Sequence, residues 1–591
     1  MKKILAVVLA AVMLLSVVAC GGKTEKPDFM TLNVGAYPDT VDPALNSAVD
    51  GASYIIHVFA GLVGYEQDAS GKLVLKAEMA TELPKPVANE DGSVSYTFTL
   101  RDDLKWSDGS ALTAEDFVYA WNRAASPATA ADYAYMFEVI DGYAEMNEMD
   151  DDGNLVNPDA KLNVTASADG KQLTVVLPVD VPYFHELCAF PTYMPVKKDI
   201  VEANGEAWAT KAETYIGNGP YKVTEFTQTQ MTLEKNEYFY NADAVKSNKI
   251  VFAFNDDDSS LLTNYQNGSY LFIDSIPNDE IANLSANKDF FVEGQLGTYY
   301  VSFNVNDAAL EGFTEVEKAD IRKALGLMID RNYVCEEIGQ AGQVPASGFV
   351  AMGLTEPDGK EFIEKNGPDR DGKGYYSVAA EDYKANCDAA VALLTDVATS
   401  SGKFTVADGK VSEDFPTLTY ITNEGTSHVA VANYLQQAWG QYGVKVQVTT
   451  QEWATFLNTR KNGDYSVARN GWLGDYNDPI SFLDMWITSS GNNDCQFGKG
   501  DHAAYADYTY KGEAGKTWAD SYDKIIGEVK ASSDAATRFD LMHQAEDILM
   551  ETGAICPIYY YTDIYMCDAS IEGFFASPLG FKYFMYASVK E

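Results

Sequence analysis

Hydrophobic residues recur along this chain in two periods, one helical and one alternating. Apolar positions at helical spacing predict a helix over residues 53–62, with Ile55, Ile56, Phe59 and Leu62 on one face. Residues 96–100 alternate between apolar and polar, and residues 31–36, 298–305 and 555–561 are rich in β-branched or aromatic side chains, which predicts strands. A strand–helix–strand order follows at 418–422, 429–442 and 444–449. This alternation favours an α/β fold with a partly parallel sheet.

Turn and cap signals separate these segments. Thr113 stands three residues before Asp116, which predicts a capping box at the start of a helix. The Asp-Gly pair at 169–170 predicts a hairpin between two strands within residues 154–177. From Pro127 onward, the sequence P-A-T-A-A-D-Y-A-Y-M predicts an exposed loop that carries several tyrosines.

The N-terminus has the pattern of an export signal. Lys2 and Lys3 precede an apolar run over residues 4–18, and small residues then lead to Cys20. This order resembles a bacterial lipoprotein signal, which implies cleavage before Cys20, a lipid on its sulfur, and a polar tether over 20–28. An ordinary secretory signal is the alternative. Because no other segment has 18 uninterrupted apolar residues, we expect the rest of the chain to lie outside the membrane.

Composition and charge exclude several classes of function. The chain has 87 acidic and 43 basic residues, a formal net charge of −44. Such a surface repels nucleic acid and anionic lipid. The six cysteines beyond Cys20 contain no C-x-x-C pair, so neither a zinc knuckle nor a disulfide framework is predicted. Cys556 and Cys567 are the one pair considered for a bridge, and buried free thiols are the favoured interpretation.

One stretch, A-R-N-G-W-L-G-D-Y-N-D-P at residues 468–479, concentrates candidate chemistry. A strand through 465–469 is predicted to enter it, and the turn residues at 477–479 end that strand. Gly471 and Gly474 would allow a ligand to approach the backbone closely. Asp475 then lies at the strand-to-turn edge, where its carboxylate can face a cleft. A plain surface turn with Trp472 in the core is the alternative.

Five segments together carry a resemblance to a known family. They are V-F-A-G-L-V (58–63), L-K-W-S-D-G-S-A-L-T-A-E-D-F-V-Y-A-W-N-R (104–123), I-G-N-G-P-Y-K-V (216–223), Q-E-W-A-T-F-L-N-T-R (451–460) and the stretch at 468–479. The glycine-rich third segment lacks the third glycine of a dinucleotide fingerprint and predicts no phosphate site. Over about residues 32–586 the chain resembles the extracytoplasmic oligopeptide-binding proteins of ABC importers.

The resemblance implies an architecture. It is an α/β, two-lobed, periplasmic-binding-protein-like fold with an extra subdomain on the first lobe. The implied divisions are a signal at 1–19, a tether at 20–28, lobe I at 29–60, 193–296 and 555–591, the extra subdomain at 61–192, and lobe II at 297–554. A short peptide would lie extended between the lobes, with its main chain hydrogen-bonded like an added strand.

The resemblance also implies roles for individual residues. Asp475 would pair with the peptide's α-ammonium group, and Gly471, Leu473, Val49 and Tyr133 would bond its main chain. Arg469 would lie near the carboxylate of short peptides, with a structural ion pair as an equal alternative. Trp453 and Trp472 are ligand-binding candidates that a place in the core would also explain. His428 would meet the carboxylate of longer peptides, although a solvated loop histidine is the favoured interpretation.

Three positions depart from the family pattern. Gly297 and Leu473 occupy places where some relatives have a disulfide, and Gly339 occupies the place of a lysine that some relatives use for the C-termini of longer peptides. How this chain neutralises a peptide carboxylate therefore stays open at this point, and so does its length preference.

The implied protein is a non-enzymatic, monomeric receptor without cofactor or metal. It would be lipid-anchored at the outer face of the cell membrane, with short peptides and ABC permease subunits as partners and no nucleic acid. Three alternatives stay open: a receptor for a signalling peptide, a receptor of the same fold for a metal or another small solute, and a secreted glycoside hydrolase. The chain's five histidines are not at metal-ligand spacings, and no G-x-S-x-G or H-E-x-x-H motif occurs.

Overall fold

The computed structural model describes residues 29–150, 152–500 and 517–590. The predicted signal, the tether and Cys20 lie outside these residues. The described chain is a mixed α/β protein built around one large sheet of eleven strands. Numbered in chain order, the strands of this sheet are β1 (Met30–Asn33), β2 (Tyr221–Phe226), β3 (Gln230–Lys235), β4 (Lys249–Ala253), β5 (Phe272–Ile273), β6 (Phe290–Phe303), β7 (Val344–Pro345), β8 (Leu418–Asn423), β9 (Val446–Gln451), β10 (Val467–Leu473) and β11 (Ile555–Cys567).

Two long strands hold the sheet together. The spatial order is β9-β8-β10-β6-β11-β5-β1-β4-β3-β2, and β7 pairs with β11. β6 has 14 residues and β11 has 13, and they pair antiparallel along most of their length. Their register shifts between Gly294 and Thr298. One side of the sheet therefore carries β5 and β1 to β4, the other carries β8 to β10, and β6 and β11 run through both.

The edge of β10 is only partly covered. β10 pairs antiparallel with β6 over its whole length, from Val467 opposite Phe303 to Leu473 opposite Gly297. On its other side β10 pairs with β8 only at Val467 and Ala468. From Arg469 to Leu473, that side of β10 has no strand partner in the described part of the chain.

Ten helices of seven or more residues occur in the described ranges. They are α1 (Val49–Val58), α2 (Ala114–Ala125), α3 (Lys198–Asn204), α4 (Asp258–Gln266), α5 (Glu315–Leu327), α6 (Tyr383–Ser401), α7 (Thr426–Gly440), α8 (Trp453–Lys461), α9 (Trp518–Lys530) and α10 (Ala535–Thr552). The predicted capping box of Thr113 and Asp116 is present at the start of α2. β8, α7 and β9 form the predicted strand–helix–strand unit, and its two strands are parallel. None of the described helices combines the length and apolar character that a bilayer span requires.

Smaller sheets flank the large one. A four-stranded antiparallel sheet contains the predicted hairpin, with the Asp-Gly turn between its last two strands in the chain. Its strands are Val87–Ala88, Val94–Thr99, Val164–Ala166 and Gln172–Leu177. Four two-stranded sheets pair Val63–Gln67 with Leu73–Ala77, Val406–Ala407 with Lys410–Val411, Ile571–Glu572 with Ser588–Val589, and Phe575–Ala576 with Lys582–Tyr583.

The segment after Pro127 differs from its prediction. Instead of an exposed loop, it contains a 3₁₀ helix over Ala134–Val139, and Tyr133 and Tyr135 are 4% and 2% exposed. Tyr133 packs edge-on against Phe190 with ring centroids 4.8 Å apart. The prediction was wrong because a local turn signal does not reveal the distant aromatic residues that bury these rings.

The described cysteines beyond Cys20 are buried free thiols, as favoured. Cys556 and Cys567 stand near opposite ends of the single strand β11. Eleven residues of strand span about 36 Å, whereas a disulfide needs Cα atoms within roughly 7 Å. A bridge between these two residues is therefore excluded.

Candidate functional site

Two adjoining cavities lie along the uncovered edge of β10. Their volumes are about 370 Å³ and about 310 Å³, and they share lining residues that include Asp50, Arg469 and Leu473. We call the two together the cleft. All nine residues predicted to bind ligand line the larger cavity, namely Val49, Tyr133, His428, Trp453, Arg469, Gly471, Trp472, Leu473 and Asp475.

Asp475 is a buried carboxylate with one free oxygen. It follows the end of β10, where its backbone N–H donates to Ser481 Oγ at 2.8 Å. Its Oδ1 accepts a hydrogen bond from the Tyr133 hydroxyl at 2.9 Å, while its buried Oδ2 has no hydrogen-bond partner among the described residues. No lysine, arginine or histidine of those residues forms an ion pair with it. Burial therefore raises the pKa of Asp475 well above its ordinary value, and the hydrogen bond from Tyr133 only partly opposes this.

Arg469 supplies a cation without a carboxylate partner in the described chain. Its Nη2 lies 3.0 Å from His428 Nε2, and its buried Nε has no acceptor. Burial, together with the positive charge of Arg469, holds the pKa of His428 well below its usual value, so the neutral imidazole accepts this hydrogen bond. The guanidinium also lies 5.5 Å from the centroid of the Tyr299 ring.

The position of His428 excludes one of its two earlier interpretations. It lies in the first turn of α7, is partly buried, and stacks on the Tyr299 ring at 5.6 Å. The favoured interpretation, a solvated loop histidine, was therefore wrong. His428 instead fixes the orientation of Arg469 from a helix.

The exposed edge of β10 offers backbone groups to the cleft. The Gly474 N–H donates to the Leu296 carbonyl on the β6 side at 2.7 Å, whereas the Gly471 N–H donates to Oδ1 of Asn470 at 2.8 Å. Since successive residues of a strand present their backbone groups to alternate sides, Arg469 and Leu473 face the same way as Gly471. A Cβ built on Gly471 would stand 2.2 Å from the Tyr561 hydroxyl oxygen, so the close packing there requires glycine. Trp472 differs, since its Nε1 donates to the Ser481 carbonyl at 2.7 Å and it is 9% exposed.

Val49 and Trp453 stand at two helix starts. Val49 begins α1 and is 38% exposed, and the cap residue before it provides no side-chain hydrogen bond. Trp453 begins α8, stacks on Phe456 at 5.9 Å, and its Nε1 is buried without a hydrogen-bond partner in the described residues. The first-turn N–H groups of α1 are natural donors for an anionic or carbonyl group. In α8 the N–H groups of Ala454 and Thr455 already donate to the Glu452 carboxylate.

Sequence reasoning missed a set of polar contacts near the cleft. Lys461 pairs with Asp132 at 2.5 Å and donates to Ser47 Oγ at 2.9 Å. Asn477 N–H donates to Glu186 Oε2 at 2.6 Å. These partners stand hundreds of positions apart in the chain, so no local pattern could reveal them. Asp50 was also missed, and its position next to Val49 was the one available signal.

Comparisons with known proteins show which family and which solved structures the chain is similar to. Residues 75–494 match the family model described as bacterial extracellular solute-binding proteins, family 5 Middle. The oligopeptide-binding protein OppA of Bacillus subtilis (strain 168) is 29% identical over 580 residues, which cover 96% of this chain and 94% of that protein. The structure of Haemophilus influenzae OppA in complex with RPPGFSPFR is 25% identical, has a TM-score of 0.77, and covers 96% of this chain and all of that one.

Two structures of a third relative bear on the conformation. The Escherichia coli murein tripeptide binding protein MppA is 25% identical, matches with a TM-score of 0.76, and covers 95% of this chain and 98% of that one. An unliganded open form of MppA is 26% identical and covers 96% and 98%, yet its TM-score is 0.56. The present arrangement is therefore more similar to the first MppA structure than to the unliganded open form.

Proposed function

Because the chain belongs to the bacterial extracellular solute-binding proteins of family 5, we propose that it is a receptor that binds short peptides in extended form and delivers them to the permease of an ABC importer. Relatives along almost its whole length are named for peptide binding, and one was solved with a peptide. The proposed role is binding and delivery, without a catalytic step.

One observation carries the proposal: an uncovered strand edge runs between two oppositely charged groups that lack charged partners in the described chain. The edge from Arg469 to Leu473 can pair with the main chain of an extended ligand. Because each residue of a peptide offers the same backbone donor and acceptor, such pairing accepts many sequences. The free Oδ2 of Asp475 lies beyond one end of this edge and Arg469 at the other.

The two charged groups suit the two ends of a peptide. We assign the α-ammonium group to Asp475 Oδ2, where a charge-assisted hydrogen bond would satisfy a buried carboxylate. We assign the carboxylate of short peptides to Arg469, held by His428. Gly471 and Leu473 would bond the main chain from β10, and Val49 and Tyr133 would do so from the other wall. Gly339, at the place of the lysine of some relatives, lines the smaller cavity and offers no second cation there.

We further propose that the chain is divided as predicted into two lobes and an extra subdomain, and that the two lobes move relative to each other. The boundary at 296/297 falls where the register of β6 and β11 shifts, between Gly294 and Thr298. A monomer that opens and closes there would exchange peptide with the permease.

Anchoring at the outer face of the cell membrane is part of the same proposal. Cys20 would carry the lipid, and residues 20–28 would tether the receptor. A Cys20→Ser variant is expected to move from the membrane fraction to the medium or the soluble extracytoplasmic fraction. Continued membrane attachment of that variant would exclude a lipid on Cys20.

The experiment that tests the receptor role is native mass spectrometry of protein purified without denaturation. The expected result is a series of mixed short peptides, released on unfolding. Titration of ligand-free protein with Ala-Ala-Ala and with its N-acetylated form then tests the binding mode. Absence of bound peptides together with no measurable affinity for any short peptide would overturn the proposal.

A further inference from the structure

The cleft has more negative charge than a neutral peptide can compensate. Among the described residues, eight carboxylates and four cationic side chains line its two cavities. The carboxylates are Asp50, Asp256, Asp258, Asp274, Glu424, Asp475, Asp494 and Asp563, and the cations are Arg460, Lys461, Arg469 and Lys582. A peptide with free ends and neutral side chains brings one charge of each sign and leaves this excess unchanged.

Most of the buried carboxylates already have partners. Asp494 pairs with Arg460 at 2.7 Å. Asp274 and Asp563 share Lys582, at 3.1 and 2.9 Å. Asp258 accepts hydrogen bonds from the Ser275 hydroxyl and from the backbone and hydroxyl of Thr426. These groups are part of the wall of the cleft, and they are not free to select a ligand.

Asp50 has no such partner. It lies in the first turn of α1, and its Oδ1 accepts only the N–H of the next residue, Gly51, at 2.9 Å. No cation pairs with it in the part of the chain that the structure describes. Gly35 packs against this side chain so closely that a Cβ there would stand 2.7 Å from the Asp50 Cβ. The carboxylate is thus held in place and left without a counter-ion.

An aromatic ring shares the cleft with this carboxylate. Trp453 also lines the larger cavity, and its indole N–H lies close to the Asp50 carboxylate. Burial is the main cause that raises the pKa of Asp50 to about 6, and the indole N–H of Trp453 acts in the opposite direction. The Arg469 guanidinium already lies 5.9 Å from the centroid of the Trp453 ring. The charge of the Asp50 carboxylate is therefore the feature that attracts a ligand cation here.

We propose that Asp50 and Trp453 form a subsite for a basic side chain, so that the receptor favours peptides that carry lysine or arginine. This inference rests on the proposed peptide-binding function and adds a side-chain preference to it. Asp475 takes the terminal ammonium group, Arg469 takes the carboxylate, and Asp50 takes the third charge of a lysine- or arginine-containing peptide. Asp256 and Glu424, both exposed, would attract the same ligands at the mouth of the cleft.

The test is isothermal titration of ligand-free protein with four tripeptides. They are Ala-Lys-Ala, Ala-Ala-Lys, and the same two peptides with the lysine amine acetylated, which keeps the length of the side chain and removes its charge. For at least one position, the charged peptide is expected to bind about tenfold more tightly than its acetylated counterpart. In Asp50→Asn that ratio is expected to fall to about one, a loss of the charge preference.

A matched control separates the subsite from the general acidity of the protein. Asp396→Asn removes one exposed carboxylate from α6, away from the cleft lining, and is expected to keep the ratio of the wild-type protein. If Asp50→Asn keeps the preference, or if the wild-type protein has none while acetylated and charged peptides both bind, the subsite is wrong and the receptor role stands. If none of the four peptides binds, the proposed peptide-receptor function itself is contradicted, and the subsite with it.

Discussion

The Tyr133 hydroxyl donates a hydrogen bond to Oδ1 of Asp475 over 2.9 Å, joining two residues 342 positions apart in the chain. This bond leaves the other carboxylate oxygen buried and without a partner in the described structure. A buried anion without a partner destabilises the folded protein, and a ligand cation that pairs with it removes this free energy cost. Tyr133 therefore leaves Asp475 with one oxygen free for a ligand.

The first prediction concerns recognition of the peptide N-terminus. Asp475→Asn is expected to weaken binding of Ala-Ala-Ala by about tenfold to a hundredfold, because a charge-assisted hydrogen bond in a buried site is lost. Binding of N-acetyl-Ala-Ala-Ala, which has no ammonium group, is expected to change little. Titration calorimetry measures both affinities. An equal loss for the two peptides would contradict the assignment of Asp475.

The second prediction concerns the stability of the ligand-free protein. Burial raises the pKa of Asp475, so the folded protein holds this proton more tightly than the unfolded chain. The free energy of unfolding therefore decreases as the pH rises above about 4, the pKa of an aspartate in the unfolded chain. Asp475→Asn cannot ionise, so at pH 7 we expect it to be more stable than the wild-type protein by about 1–3 kcal/mol.

The pH profile provides the control for this stability prediction. Denaturant unfolding is measured from pH 4 to pH 8. The difference in free energy of unfolding between Asp475→Asn and the wild-type protein should be smallest near pH 4 and increase with pH. Asp396→Asn, which removes an exposed carboxylate, should show no such trend. A difference that stays constant with pH would mean that the gain does not come from the ionisation of Asp475.

The third prediction concerns the peptide carboxylate. Arg469→Gln is expected to weaken binding of Ala-Ala-Ala by about tenfold while binding of the C-terminally amidated peptide changes much less. Arg469→Lys keeps the charge but has only one terminal nitrogen to serve both His428 and a carboxylate, so we expect it to recover part of the affinity. If both variants lose affinity equally for free and amidated peptides, Arg469 has a structural role.

The fourth prediction concerns the strand edge. Gly471→Ala places a methyl group 2.2 Å from the Tyr561 hydroxyl oxygen, so this ring, which lines both cavities of the cleft, must shift. We expect weaker binding of every peptide, whatever its ends or side chains. The double variant Gly471→Ala/Tyr561→Phe removes the hydroxyl and should recover much of the affinity, with Tyr561→Phe alone as reference. No recovery would mean that the methyl group acts on the backbone of β10 instead.

Local patterns predicted the elements well where the local chain decides the structure. The capping box of Thr113 and Asp116, the Asp-Gly hairpin and the parallel β8–α7–β9 unit are all present. Each depends on residues close together in the chain, whose hydrogen bonds and side-chain spacing are visible in the sequence.

Features that depend on contacts between distant parts of the chain could not be predicted from local patterns. Tyr133 has a turn-like neighbourhood, yet distant aromatic residues bury it. His428 lies on a helix facing Arg469, 41 positions away. The nine predicted ligand-binding residues, which line one cavity, were identified through the family resemblance. No periodicity in the sequence connects Val49 with Asp475. Asp50 escaped notice because a single aspartate early in a helix is a common stabilising residue, and only its surroundings reveal that it has no counter-ion.

The ladder between β6 and β11 also has a mechanical consequence. Its register shifts twice, between Gly294 and Thr298 and again between Tyr299 and Tyr300. A ladder bends at lower energetic cost where its register is interrupted than where its hydrogen bonds are continuous. Flexing can therefore concentrate in a few residues while the remaining ladder stays intact.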